Sequence, residues 1–403
     1  MIFGLFIIVI LLFQGAISKY TGFSYVDEIV SLIFFLYFLY RIIIKKEKIE
    51  RYEIRALFAV FSFFFIGVVS TIIYNYQGSI SYGLESGLFS CKAFITYFGV
   101  KLYFDHTKIN IKYLGKFLHL IETLLMISAV LVTINHFVPI FGMFGYKLGI
   151  PVTAYIFNHP TEVVSYAIFS LLISLFLREY LGYKRRVWRN YIPTLIVIFS
   201  ALNYKSLGFI TLFLALDFVM PFMNKFKMKY LIIGAPPMLL VVFDQLQYYF
   251  SDITSSRGAL YYYGFKTAKD HFPFGSGFGT YGTEFSRQQY SPLYYKYHMN
   301  YLYGLSPNNP MYVADTMWPP IVAETGFFGL ALIIFFFINL FLHIKNLKQT
   351  KRITMILCMV LVYGLIESVA DSFFMNARGV TLFFLFAFFV SLIKKRQIAE
   401  NNN

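Results

Sequence analysis

Residues 317–342, MWPPIVAETGFFGLALIIFFFINLFL, hold a single ionisable side chain, Glu324, in a run of twenty-six. A helix needs about 20 apolar residues to cross the hydrocarbon core of a bilayer, so this stretch predicts a membrane span with residues to spare. Runs of similar character follow at 353–370 and 379–393. Toward the N-terminus they recur near 1–17, 25–44, 56–74, 87–104, 117–138, 152–177, 191–203, 206–222 and 230–248. The first lacks the basic flank of a signal peptide, and it is read as a helix that is retained. Asn203-Tyr204-Lys205 divides 191–222 into two short spans, because one unbroken helix of that length would need extreme tilt.

Composition agrees. Hydrophobic residues make up 58% of the 403-residue chain, charged residues 14%, and mean hydropathy is +0.63. A soluble domain carries about a quarter of its residues charged, so most of this exterior meets lipid. The expected fold is an all-α polytopic membrane protein of about twelve transmembrane helices. Cys91 and Cys358 both sit in apolar runs, which argues against a disulfide or a metal site.

The net charge of +15 suggests a nucleic-acid partner until its placement is examined. Alternate connections hold six basic residues (41–55), four (101–116), five (178–190), three (225–229), four (345–352) and three (394–396). They contain 25 of the 35 Lys and Arg, all on one side of the predicted bundle. The positive-inside rule makes that side cytoplasmic, with both termini on it. The charge then faces anionic headgroups, and no nucleic acid is required. One connection, 249–316 between the ninth and tenth spans, is far longer than the rest and lies outside. Long connections usually carry function. The organisation predicted is spans one to nine over 1–248, an extracytoplasmic catalytic loop over 249–316, and spans ten to twelve with a short cytoplasmic tail over 317–403.

Four stretches facing the outer side carry the candidate chemistry. The first is Phe157-Asn158-His159-Pro160-Thr161-Glu162, whose plain reading is a helix start with Thr161 as N-cap. The second is Tyr204-Lys205-Ser206-Leu207-Gly208, a cation at a tight turn, or simply an interfacial lysine reaching for headgroups. The third runs from Ser255-Ser256-Arg257-Gly258 to His271-Phe272-Pro273-Phe274-Gly275-Ser276-Gly277-Phe278-Gly279. The fourth is Asp315-Thr316-Met317-Trp318, followed by Ala323-Glu324-Thr325-Gly326.

In order, spacing and side, these stretches resemble the bacterial O-antigen polymerase and ligase family. The third is the most specific: an Arg opens a helix that runs to a His-Pro-type turn and a Gly-x-Gly-x-Gly segment. Two departures stand out. Lys205 occupies the place of a family arginine and lacks its bidentate fork. Asp315 stands where a histidine is usual, so it can act only as a base or as an acceptor for hydroxyls.

The resemblance implies a metal-independent glycosyltransferase without cofactor. It would join undecaprenyl-pyrophosphate-linked oligosaccharides on the outer leaflet of a bacterial plasma membrane. Donor and acceptor would both be such lipid-linked glycans, with membrane lipids, a flippase and a chain-length regulator as neighbours. Fixed cations must hold the charge that develops on the departing pyrophosphate: Arg257 and Lys205, with Arg378 as a third unless it only pairs with Asp371 or Glu367. A base must take the acceptor proton: Asp315 first, His271 second. His159, Gly275, Gly277, Gly279 and Tyr261 join the implied binding set, and Tyr281 and Tyr294 offer ring faces to sugars. Glu324 reads more readily as part of a hydrogen-bond network.

A ligase that passes the finished glycan to a lipid or wall acceptor is the nearest alternative. A repeat-unit flippase belongs to another class. Transporters place ionisable groups near the midplane and show internal repeats. Here Lys92, Glu122 and Glu367 lie in spans but mostly toward an end, and no repeat is evident. A chain-length regulator, with few spans and coiled coil, fits poorly.

Overall fold

The computed structural model describes residues 1–401 apart from 148, 228, 234, 237, 241, 242, 244–246 and 248–251. The molecule is predominantly helical. Its elements are α1 (Ile2–Leu12), α2 (Gln14–Thr21), α3 (Val26–Leu39), α4 (Arg51–Tyr74), α5 (Ile80–His106) and α6 (Ile111–Phe137). A hairpin of β1 (Gly145–Lys147) and β2 (Ile150–Val152) follows, then α7 (Pro160–Tyr180), α8 (Val187–Ala201), α9 (Tyr204–Val219) and α10 (Lys229–Ile233). The long connection holds α11 (Ser256–Asp270), α12 (Glu284–Gln288) and α13 (Pro292–Lys296). The chain ends with α14 (Trp318–Asn346), α15 (Lys351–Glu367) and α16 (Ala377–Asn401).

Among the described residues, seven helices are long and apolar enough to cross a membrane: α4, α6, α7, α9 with its 3₁₀ extension, α14, α15 with its extension, and α16. The pair α1–α2 is an eighth if taken as one span, although its halves meet at 63°. The first predicted span is therefore broken, at Phe13, and the break turns the polar residues Gln14, Gly15 and Ser18 inward. The run 25–44 forms α3 with a π-helical end, Tyr40–Ile44, and 87–104 lies inside the longer and more polar α5. Predicted span 230–248 lies in part outside the described residues.

The break at 201–204 falls where expected. Leu202 takes a left-handed conformation (φ 40°), and the Asn203 side chain caps α9 by accepting from the backbone N–H of Lys205 and Ser206.

Packing explains the burial pattern. Helices α14 and α4 run together, as do α16 and α5, while α3 covers α5 and α6 lies on α7 and α8. The α7 and α16 spans are enclosed by other helices, and α4 and α6 expose more than half of theirs. Buried ion pairs join several of the helices: Glu122 with Arg178, which donates from Nη2 at 2.7 Å, and Lys101 with Glu53 at 2.9 Å and Asp105 at 2.8 Å. A buried charge left alone would be far costlier than such a pair.

The long connection has a core of its own, built from Leu260, Tyr281, Leu293, Tyr294, Met299 and Val313 among others. Its glycine segment then dives between helices. Helix α14 is kinked at Gly326 (φ 68°, ψ −172°), which leaves the carbonyls before it to other donors. Ser276 N–H donates to Ala323 O (2.8 Å) and Gly277 N–H to Glu324 O (2.9 Å). In return the Glu324 carboxylate accepts from the N–H of Thr280 (2.9 Å) and Tyr281 (3.0 Å). On the other side Phe278 N–H donates to Thr71 Oγ1 (2.8 Å), and its ring lies against Phe63 and Phe64 of α4. The third and fourth sequence stretches are thus one another's partners, and together they fasten the connection to α4, α5 and α14.

Candidate functional site

A cavity of about 460 Å³, lined mostly by polar and charged residues, opens at the end of the bundle that carries the long connection. It is lined by groups far apart in sequence: Lys147 of β1, His159 and Thr161 at the start of α7, Lys205 of α9, Arg257 of α11, Asp315 and Asp371.

Each side chain is held by its local structure. His159, not Thr161, is the N-cap of α7, with Pro160 in the first turn, where its missing N–H costs nothing. His159 Nδ1 accepts from the Thr161 N–H (3.2 Å) and meets Thr161 Oγ1 at 2.7 Å. The neutral ring therefore carries its proton on Nε2. Desolvation, helped by the Arg378, Lys147 and Lys205 charges, pushes its pKa down to about 4.

Lys205 ties α9 to α15. Its ammonium lies 3.1 Å from the Glu367 carboxylate and donates to two carbonyls at the α15 terminus, Glu367 O (3.2 Å) and Ala370 O (3.1 Å). A cation on those carbonyls also complements the helix dipole. Ser206 Oγ donates to the other Glu367 oxygen at 2.7 Å.

Arg257, in the first turn of α11, donates to Asp315 Oδ2 at 2.6 Å. Burial raises the Asp315 pKa, and the Arg257 charge only partly opposes the shift. Across the cavity Arg378 Nη2 grips both oxygens of Asp371 at 2.6 Å. Burial would raise the Asp371 pKa, but the Arg378 and Lys205 charges outweigh it and hold the carboxyl below its usual value. Arg378 Nη1 is buried and has no hydrogen-bond partner among the described residues.

Lys147 was not singled out from the sequence. The hairpin carries it to the cavity, where its ammonium donates to Leu202 O at 3.0 Å. Desolvation and the neighbouring Lys205 lower its pKa. The signal in the sequence is that Lys147 is among the ten Lys and Arg outside the basic connections. Asp371 was named only as a partner for Arg378, yet it lines the cavity.

Several expected members sit elsewhere. His271 is nearly buried, and both ring nitrogens are occupied. Nδ1–H donates to Thr267 O (2.8 Å), and the Tyr76 hydroxyl donates to Nε2 (2.7 Å). Burial also lowers its pKa, so its position is that of a helix-terminal strut and not a base at the cavity. Gly275 and Gly277 are packing glycines. A Cβ on Gly275 would lie 2.5 Å from Gly326 N, and one on Gly277 would lie 2.6 Å from Thr71 Cα. Gly279, also left-handed (φ 76°), turns the chain toward the Glu324 carboxylate. None of the three lines the cavity.

Tyr261 donates to Val369 O at 2.7 Å and lines a separate cavity beside α11, with Tyr262, Phe265 and Lys266. Tyr281 and Tyr294 are fully buried in the core of the connection and show no face to a ligand. Glu324 belongs to the hydrogen-bond network described above. Among the described residues no group of three or more His, Cys, Asp or Glu is placed to hold a metal ion.

The cavity gathers three cations, Lys147, Lys205 and Arg257, each held by a carbonyl or a carboxylate, together with the carboxylates Asp315 and Asp371. No protein-family model matches this chain, and no curated protein matches it.

Proposed function

We propose that this protein is a polysaccharide polymerase of a bacterial plasma membrane that joins lipid-pyrophosphate-linked repeat units on the outer leaflet. One observation carries the reading: His159, Lys205, Arg257 and Asp315, from four separate stretches that resemble one family, line a single polar cavity. In this reading the chain crosses the membrane twelve times with both termini in the cytoplasm, and the cavity faces outward.

The diphosphate of the donor lies against Lys147, Lys205 and Arg257. Engagement of Arg257 by phosphate releases Asp315 from its pair, and the raised pKa of Asp315 favours taking a proton. The acceptor hydroxyl oxygen bonds to the sugar C1, and its proton passes to Asp315. The C1–O bond to phosphate breaks, and its electron pair leaves on the undecaprenyl diphosphate. His159, neutral with Nε2–H, donates a hydrogen bond to a phosphate oxygen. Arg378, buried beside Asp371, supports the field in which that charge develops. The Asp at position 315, in place of the histidine usual in ligases, favours the polymerase over the ligase.

The test is reconstitution. Purified protein given lipid-linked repeat units from its source cells should produce a ladder of longer chains on a gel. A wild-type preparation that only ever returns single units would overturn the reading.

A further inference from the structure

A second cavity, of about 330 Å³, backs onto the first. Adjacent residues of three segments face opposite chambers. Asn158 and Glu162 line the second while His159 and Thr161 line the first; Ala314 adjoins Asp315 in the same way, and Ser372 adjoins Asp371. The two chambers are therefore neighbours along these three segments.

Their chemistry differs. Among the described residues the only cation lining the second chamber, Lys92, is held between Asp27 Oδ2 (2.5 Å) and Glu28 Oε1 (2.6 Å), over the Phe89 ring. Glu162 and Glu284 add two further carboxylates, so this lining sets four carboxylates against one cation where the first sets two against three, and a diphosphate is favoured in the first and not here. Two neutral polar groups lining this chamber are buried and unsatisfied, beside two carboxylate oxygens that also have no hydrogen-bond partner among the described residues, Asp27 Oδ2 (ion-paired with Lys92) and Glu28 Oε2. Ser86 Oγ, on a residue 1% exposed, and Gln14 Oε1, on one 6% exposed, have no hydrogen-bond partner among the described residues. Buried groups of this kind normally have partners. One needs an acceptor or donor and the other a donor, and a sugar hydroxyl supplies both. The break between α1 and α2 is what brings Gln14 there, and Gly15 leaves room for Glu162, whose Oε2 would lie 2.2 Å from a Cβ at that position.

We propose that the second chamber is the acceptor site, which holds the terminal sugar of the acceptor glycan through its hydroxyls. The ligand is a neutral or cationic polyhydroxylated ring, with Ser86, Gln14 and the carboxylates as its hydrogen-bond partners. The inference rests on the polymerase reading and adds to it a division of labour: diphosphate in the cationic chamber, acceptor sugar in the acidic one.

Two readouts separate the claims: cross-linking by a benzophenone-tagged undecaprenyl diphosphate, and elongation of repeat units extracted from source-cell membranes. Ser86→Phe fills the chamber and should cross-link as wild type does while elongation falls at least about tenfold. Ser86→Ala removes one hydroxyl with little effect on packing and should slow elongation roughly three- to tenfold, the worth of one hydrogen bond. If Ser86→Phe elutes as a folded protein and elongates at the wild-type rate, the acceptor site is refuted while the polymerase reading stands. Should Ser86→Phe fail to fold, Ser86→Ala decides alone, and wild-type elongation by it overturns the proposal. Wild-type protein that neither cross-links nor elongates overturns both.

Discussion

Replacing Lys205 by Met separates the two roles that the structure gives its ammonium. Glu367 is 1% exposed and the Lys205 side chain 16% exposed, so the pair is close to buried. Removing one partner of a buried pair costs roughly 3–5 kcal/mol, because the other charge is stranded. The residual exposure of Lys205 points to the lower end, about 3 kcal/mol. At roughly 2 cal/mol/K of unfolding entropy per residue, that corresponds to a fall of about 3–4 °C in Tm for a chain of this length.

The double variant Lys205→Met/Glu367→Gln removes the stranded charge and keeps an oxygen for the Ser206 hydroxyl. It should recover at least half of the loss in a thermal unfolding assay in detergent. Neither variant should elongate chains, because both lack the cation. A Lys205→Met protein as stable as wild type would refute the reasoning. So would a double variant no more stable than the single one.

Two further predictions follow from the same geometry. Gly277→Ala, with φ at +91° and its Cβ 2.6 Å from Thr71 Cα, should abolish accumulation of folded protein; Gly279→Ala, whose nearest neighbour would be at 3.4 Å, should only lower Tm. Expression followed by gel filtration distinguishes them. For pH dependence, Asp315 must be a carboxylate to act as base, so elongation is lost as pH falls through its raised pKa. Arg257→Met removes the charge that opposes the shift and should move the acidic limb to higher pH as well as lowering the rate; an unmoved limb would show that Asp315 is not the titrating base.

The helical character of the chain and its long apolar helices were legible because a run of span length leaves few architectures. The turn at Asn203 was readable for a local reason, since an Asn before α9 is a ready N-cap. The break at Phe13 was not, because an apolar run gives no sign of a bend that tertiary contacts impose. Lys205, Arg257 and Asp315, which depart in the sequence from their surroundings, are brought to one cavity.

The glycines lie in packing contacts and not at the cavity, for a physical reason. Left-handed turns that cradle a ligand and turns that admit a neighbouring helix need the same residue, and only the structure shows Thr71 and Gly326 in the space. Tyr281 and Tyr294 lie in the core of the connection for a similar reason, since an amphipathic ring suits a membrane interface and a loop core equally well. His271 looked available until Thr267 and Tyr76 took both its nitrogens. Lys147 was missed because nothing within the short hairpin sequence ties it to residues 205 or 257.

The central claim is that the cationic chamber receives a lipid-linked diphosphate. The most direct measurement is the binding of undecaprenyl diphosphate to the purified protein by photo-cross-linking, with the modified peptides sequenced. The account predicts labelling of the segments around Lys147, Lys205 and Arg257, competed by unlabelled diphosphate and far less by undecaprenyl monophosphate. Labelling that avoids those three segments, or that both lipids compete equally, would contradict it.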